Sequence, residues 1–332
     1  MLILNQSDLG LALAMRDCIE AVEEGFQALA GGDAVVPERL VLDLPDRKGV
    51  LLEMPAHLLS PGKRQAEPRS ALGTKIVSVF AGNAARNLDM VQAVYLLLDG
   101  ETGVPLALMD GRFITALRTA ATSALATKLM AAPGAKRLAV FGAGTQARFH
   151  MEAMFEVCEI TEVFIASRTM EKAQALALRV ATERGISCKV VSHTEAAREA
   201  NLICACTSAP LPLFDGKLLG NGTHINAVGA FTPATRELDT ETVRRSRVII
   251  DAQSAAGREA GEILIPLSEG AIRPDHIKGS LGDLVTGKVA GRERDEEITL
   301  FKSSGHAIED LVTARLAYQK AIASGMGKEI NL

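Results

Sequence analysis

The stretch Arg137–Ala147 reads RLAVFGAGTQA. Leu138, Ala139, Val140 and Phe141 form a short apolar run, the size of a buried parallel strand. It runs into Gly142-Ala143-Gly144-Thr145-Gln146-Ala147, which fits G-x-G-x-x-G/A. Each small residue has a physical job. Gly142 lets the chain turn tightly off the strand. Gly144 has no Cβ, so a pyrophosphate can approach the backbone. Ala147 lets the next helix sit close to the sheet. That helix, 146–157, would present free N–H groups and its positive dipole end to the phosphates. A second strand, 162–166, completes a βαβ unit. The pattern predicts a dinucleotide site on a Rossmann-type, doubly wound parallel sheet, and hence an α/β fold.

Working outward, 332 residues suggest about two domains. A hydrophobic fraction of 48% is enough for substantial cores and too high for a disordered chain. The net charge is −4, and no basic run points to nucleic acid. No apolar stretch is long and pure enough to suggest a membrane span. The start, MLILNQSDLG, lacks the basic lead and long apolar core of a signal peptide. Five cysteines show neither zinc nor disulfide spacing. Cys204 and Cys206 alternate with Ile203 and Ala205 and read as small core residues. The expectation is a reduced, soluble, cytoplasmic protein with neither a nucleic-acid nor a membrane partner.

Ahead of the glycine loop, Ser7-Asp8 can cap a helical segment, whose apolar spacing at Ile19, Val22, Phe26 and Leu29 runs to a Gly31-Gly32 stop. Strands are predicted over 39–44, 50–54, 72–80, 90–98 and 104–109, with a polar, proline-bounded loop at 60–69. This run of strands after a helix is α+β, distinct from the Rossmann part. A helix of small residues over 111–132 links the two. The Rossmann strands are expected near 138–141, 162–166, 187–191, 201–206, 223–228 and 247–251. A last amphipathic helix, 305–324, falls outside the βαβ rhythm and is expected to pack back on the first domain. The domains are therefore 1–115, 116–306 and a returning 307–332.

Several residues carry chemistry. NAD enzymes usually place an acid after the second strand to bond the ribose 2′-OH. Here the strand end reads Ser167-Arg168-Thr169, and hydroxyls with a guanidinium suit a 2′-phosphate. NADP(H) is expected over NAD(H), the alternative being that Arg168 is a solvated helix-start residue. Arg118 lies in a stripe of Ala, Thr and Ser, where a cation is costly to bury unpaired. It reads as a carboxylate clamp or as a structural ion pair. Lys75 interrupts an otherwise apolar strand and is expected to point into a site. Arg39 and Glu53 are similar single charges on strand-like runs, for which a surface reading stands equally. The histidines form no metal pattern. His150, His193 and His276 read as surface or helix residues, and His306, opening the last helix, as a functional or a capping residue.

These residues together resemble the ornithine cyclodeaminase/mu-crystallin family over nearly the whole chain. The matching pieces are Glu53-Met54-Pro55-Ala56, Gly73-Thr74-Lys75, Asp99 with Thr102-Gly103 and Pro105, Thr115 to Ala121, Gly142 to Ala147, Arg236 to Asp239, and Ile308-Glu309-Asp310. The resemblance implies a homodimer joined through the N-terminal strands, a first domain that binds substrate, and a site between the domains. It carries Arg39, Lys75 and Arg118 over as substrate-carboxylate or catalytic residues, with Glu53, Phe231 and His306 as further substrate contacts. Thr119 and the loop Gly142, Ala143, Gly144, Thr145, Gln146 would hold the cofactor, and Thr207, Ser208 and Val228 would line its path. Cyclodeaminases carry a catalytic Asp where Phe231 stands, and a Thr where Met90 stands. Phe cannot accept a proton, so ornithine cyclisation is disfavoured. The segment Gly229 to Pro233 resembles the ketimine (Δ1-pyrroline-2-carboxylate) reductase branch. The expected activity is reduction of a cyclic imino acid. Cyclodeaminase-like or alanine-dehydrogenase-like activity, or mu-crystallin-like binding of a small molecule, is the alternative.

Overall fold

A computed structural model describes residues 1–59, 70–252 and 258–331, so the loop expected at 60–69 lies outside the described residues. The chain divides into two compact units, 1–118 with 306–332, and 119–305. It passes from the first to the second within one helix.

The first unit opens with β1 (Leu2–Leu4), α1 (Gln6–Ala12) and α2 (Met15–Gly31). Asn5, not Ser7, caps α1: its Oδ1 accepts the Ser7 and Asp8 N–H groups, and the Asp8 carboxylate accepts the Asn5 N–H in return. Gly32 closes α2 in the left-handed region at φ 82°. There follow β2 (Ala34–Val35), β3 (Leu40–Leu44), β4 (Gly49–Leu58), β5 (Ala71–Phe80), β6 (Val91–Asp99) and β7 (Pro105–Asp110). Helix α3 (Gly111–Met130) leads out. The chain returns as a terminal helix, Ala307–Ser324, and a terminal strand, Lys328–Glu329. The strand pairings from β2 and β3 through β7 are antiparallel, while β1 lies parallel to β7 and antiparallel to the terminal strand. The terminal helix packs on α2 and on β4, β5 and β6.

The second unit is built from β8 (Arg137–Phe141), α4 (Thr145–Val157), β9 (Glu162–Ala166), α5 (Met170–Arg184), β10 (Ser187–Val190), α6 (His193–Glu199) and β11 (Leu202–Ala205). It continues through β12 (His224–Ala227), α7 (Thr240–Arg245), β13 (Ser246–Ile250), β14 (Ile277–Ser280) and β15 (Ile298–Lys302). The eight strands are parallel, in the order β10-β9-β8-β11-β12-β15-β13-β14. This is the expected Rossmann-type sheet, with one correction. The expected series stopped at 247–251, yet two further strands follow: β14 forms an edge of the sheet, and β15 sits inside it between β12 and β13. Its Thr299 and Lys302 look like surface residues but are fully buried and paired, which hides a core strand from an apolar-run search.

Candidate active site

On β5 positions 73, 75 and 77 lie on one face of the sheet, with the side chains of Lys75 and Val77 turned to it, and Thr74, Ile76 and Ser78 turn to the other. Lys75 therefore faces inward, beside its cross-strand partners Met54 and Tyr95. A buried ammonium needs a counter-ion. The terminal helix supplies it: Lys75 Nζ donates to Asp310 Oδ2 at 2.8 Å. The other oxygen, Asp310 Oδ1, accepts from Arg118 Nε at 2.9 Å, and Arg118 Nη1 donates to Glu309 Oε2 at 2.6 Å. Two cations and two carboxylates, none more than 4% exposed, thus balance one another within the first unit. Burial pulls the Lys75 ammonium down to about 8, against the opposing pull of Asp310. Burial would raise Asp310, but Arg118 and Lys75 hold it below the ordinary carboxylate range. For Arg118, the two carboxylates outweigh burial and raise it. Tyr95 is fully buried beside Lys75, and its hydroxyl has no hydrogen-bond partner among the described residues.

The other expected substrate residues are placed differently. Arg39, half-buried, immediately precedes β3. Glu53 precedes Met54, the partner of Lys75, so strand alternation puts it exposed on the opposite face of the sheet. The structure does not bring Glu53 to Lys75. His306 is the N-cap residue of the terminal helix; its backbone N–H donates to Glu309 at 3.0 Å, and its ring lies 6.3 Å from that of Phe26. Phe231 is in the second unit, 40% exposed, four residues past β12.

In the second unit the glycine loop leaves β8 at the point where the strand order reverses, between β8 and β11. Gly142 sits at φ 108°, where a Cβ would meet the Cys206 carbonyl oxygen at 2.7 Å. Gly144 is the N-cap of α4, and a Cβ there would meet nothing within 4 Å. Ala143, Gly144, Thr145 and Gln146 therefore frame an open helix N-terminus with a closed hinge behind it. That arrangement fits a pyrophosphate. His150, one turn along α4, is wholly buried and pulled down to about 4 by burial; Ser123 lies 3.0 Å from its Nε2 and the Gln146 carbonyl 2.8 Å from its Nδ1. Ser167, Arg168 and Thr169 follow β9, the last two exposed, with the Thr169 N–H on Ser167 Oγ. Thr207, Ser208 and Val228 follow β11 and β12 at their carboxyl ends, and Thr119 is buried on α3 next to Arg118.

Glu309 and Asp310 were not singled out as site residues from the sequence. The signal was present: two acids inside the apolar run Ile308 to Val312 are as anomalous as Lys75 in its strand.

Residues 1–325 match the family model of the ornithine cyclodeaminase/mu-crystallin family. A Δ1-pyrroline-2-carboxylate reductase of Bacillus cereus is 34% identical over 332 residues, covering 99% of both proteins. The solved structure of Thermococcus litoralis Δ1-pyrroline-2-carboxylate reductase, in complex with NADH and L-proline, is similar with TM-score 0.94 at 40% identity, covering 99% of this chain and 100% of that one. An archaeal alanine dehydrogenase dimer with bound NAD is similar with TM-score 0.92 at 34% identity, covering 100% of this chain and 99% of that one. The chain belongs to the ornithine cyclodeaminase/mu-crystallin family.

Proposed function

We propose that this protein is an NAD(P)H-dependent ketimine reductase, converting Δ1-pyrroline-2-carboxylate or Δ1-piperideine-2-carboxylate to L-proline or L-pipecolate. The observation that carries this reading is the convergence of Lys75 and Arg118 on one buried carboxylate. An ammonium and a guanidinium held at fixed separation suit an α-imino acid, which offers a carboxylate beside a basic nitrogen. When bound, the reduced nicotinamide supplies a hydride to the imine carbon. Arg118, oriented by Glu309 and Asp310, binds the substrate carboxylate, with Arg39 as a further cation. Lys75 has three ammonium N–H groups and donates one in its hydrogen bond to Asp310. It orients the ring and delivers a proton to the nitrogen, and its lowered pKa of about 8 suits a donor working near neutral pH. One C=N π bond is lost and one C–H and one N–H bond form.

The loop Gly142 to Gln146 takes the pyrophosphate, Thr119, Thr207, Ser208 and Val228 line the rest of the dinucleotide, and Ser167, Arg168 and Thr169 face the adenine ribose. The absence of an acid at that ribose supports NADP(H) over NAD(H). Phe231, where an acid would be needed for ornithine cyclisation, speaks against a cyclodeaminase. A homodimer is supported by exposed apolar side chains across the first sheet: on the face opposite Lys75, Leu40, Ile76 and Val94 are each at least 42% exposed, in a cross-strand row that Glu53 interrupts between Leu40 and Ile76. Five free cysteines fit the reducing cytoplasm. No helix among the described residues is long and apolar enough to cross a membrane. The likeness to an alanine dehydrogenase supports one rival reading, oxidative deamination of L-alanine. Following NADPH or NADH consumption with each cyclic imine, beside NADH formation from L-alanine and ammonia release from L-ornithine, separates the readings. Turnover on a cyclic imine is expected, and turnover on L-alanine alone would favour the rival.

A further inference from the structure

The second unit buries another set of charges, away from Lys75 and Arg118. Glu237, Glu262 and Lys302 are all fully buried. Lys302, the last residue of β15, places Nζ 3.1 Å from Glu262 Oε2 and donates to the Ala230 carbonyl at 2.5 Å. Glu262 Oε1 accepts the backbone N–H of Glu237 at 2.9 Å. The Glu237 carboxylate then reaches two strand ends. Its Oε1 accepts from Thr207 N at 2.6 Å and Thr207 Oγ1 at 2.8 Å, and its Oε2 accepts from Gly229 N at 2.6 Å.

Burying three charges is expensive, and a sheet can be closed without them. What this cluster satisfies is specific. The ladder bonds of β11 and β12 run out with Cys206 N on the Phe141 carbonyl and Val228 N on the Ala205 carbonyl. Thr207 and Gly229 carry the next N–H group of each strand, and a buried N–H must find an acceptor. One carboxylate takes both. The fit is tight: a Cβ at Gly229 would stand 1.9 Å from the Thr207 carbonyl oxygen and 2.7 Å from both Glu237 carboxylate oxygens. Thr207 in turn lies against the glycine loop, its Cγ2 3.5 Å from where a Cβ on Gly142 would be.

We infer that Glu237 is a positioning residue for the dinucleotide: its carboxylate fixes Thr207 and Gly229 as the wall facing the glycine loop at the carboxyl ends of β11 and β12. This rests on the reading that the loop binds NAD(P)H. Lys302 and Glu262 hold Glu237 in turn, and Lys302 steadies the Ala230 backbone next to Phe231.

The test is the dissociation constant of NADH and of NADPH, read by nucleotide fluorescence without imine, on wild type, Glu237→Gln and Glu237→Asp. Gln keeps an acceptor for Thr207 but turns an NH2 group on the Gly229 N–H. Asp keeps the charge but is too short to span both strands, and it carries the measurement if Gln does not fold. Both constants should rise about tenfold, because the wall formed by Thr207 and Gly229 would no longer be held against the dinucleotide. The nucleotide KM should rise with them, while the imine KM and kcat at saturating nucleotide hold. A lowered Tm with wild-type nucleotide affinity would overturn the inference and leave Glu237 a structural residue. If wild type binds neither nucleotide, the functional reading itself fails and this inference with it.

Discussion

Asp310 sets what Lys75 and Arg118 can do, because each of its oxygens holds one of them. Both cations were legible in the sequence, as charges stranded in apolar surroundings. Their acidic partners lie 191 or more residues away along the chain, a pairing that no local pattern encodes. Lys75 carries a pH signature. Its folded-state pKa is lowered to about 8 from an ordinary 10.5, so between those values the native state has released a proton that the unfolded chain still holds. Its contribution to stability therefore rises with pH across that window, whereas proton delivery is lost. We expect kcat/KM for imine reduction to fall above about pH 8, and Lys75→Met to abolish that limb along with most of the activity. A wild-type profile flat to pH 10 would remove Lys75 as the proton donor. Arg168 is a second residue-scale case. It is exposed, so solvent and salt weaken its reach. Arg168→Ala should still lower the NADPH/NADH ratio of kcat/KM by up to about tenfold. An unchanged ratio would return it to a solvated helix start.

Among the elements, β8, the glycine loop and α4 read directly from the sequence because an apolar run and a glycine pattern act over only eleven residues, Arg137 to Ala147. Strand β15 did not, because Thr299 and Lys302 are satisfied by distant partners: Thr299 donates to the Met130 carbonyl and Lys302 to that of Ala230. Cap choice was likewise misread by two residues, since Asn5 and Ser7 are equally good capping types and only the backbone decides. The two loop glycines make separable predictions. Gly142→Ala forces a side chain into the left-handed region and against Cys206, and should cost about 1–3 kcal/mol or more of stability. Gly144→Ala meets open space and should leave Tm nearly unchanged, yet raise the NADPH dissociation constant at least about tenfold by occupying the phosphate approach. Thermal melts with nucleotide titrations check both. Equal loss of stability in the two variants would contradict the assignment of Gly144 to the ligand.

For the whole molecule, the chain leaves the first unit after Arg118 and re-enters it at His306. The return delivers Glu309 and Asp310 to cations laid down long before, so the first unit is electrostatically complete only when the last helix has docked. On the opposite face of its sheet the apolar side chains of Leu40, Ile76 and Val94 remain exposed, with Glu53 among them. We expect wild type to sediment as a dimer and Ile76→Asp with Val94→Asp as a monomer. A wild-type monomer would leave that face unexplained. The proposed reaction is hydride transfer to the carbon of a cyclic imino acid. The most direct measurement supplies Δ1-pyrroline-2-carboxylate with NADPH or NADH deuterated on either face of nicotinamide C4. Mass spectrometry should then find L-proline with one deuterium at its α carbon, from one of the two labelled faces only. No labelled proline from either nucleotide, with deuterium retained in the coenzyme, would contradict it.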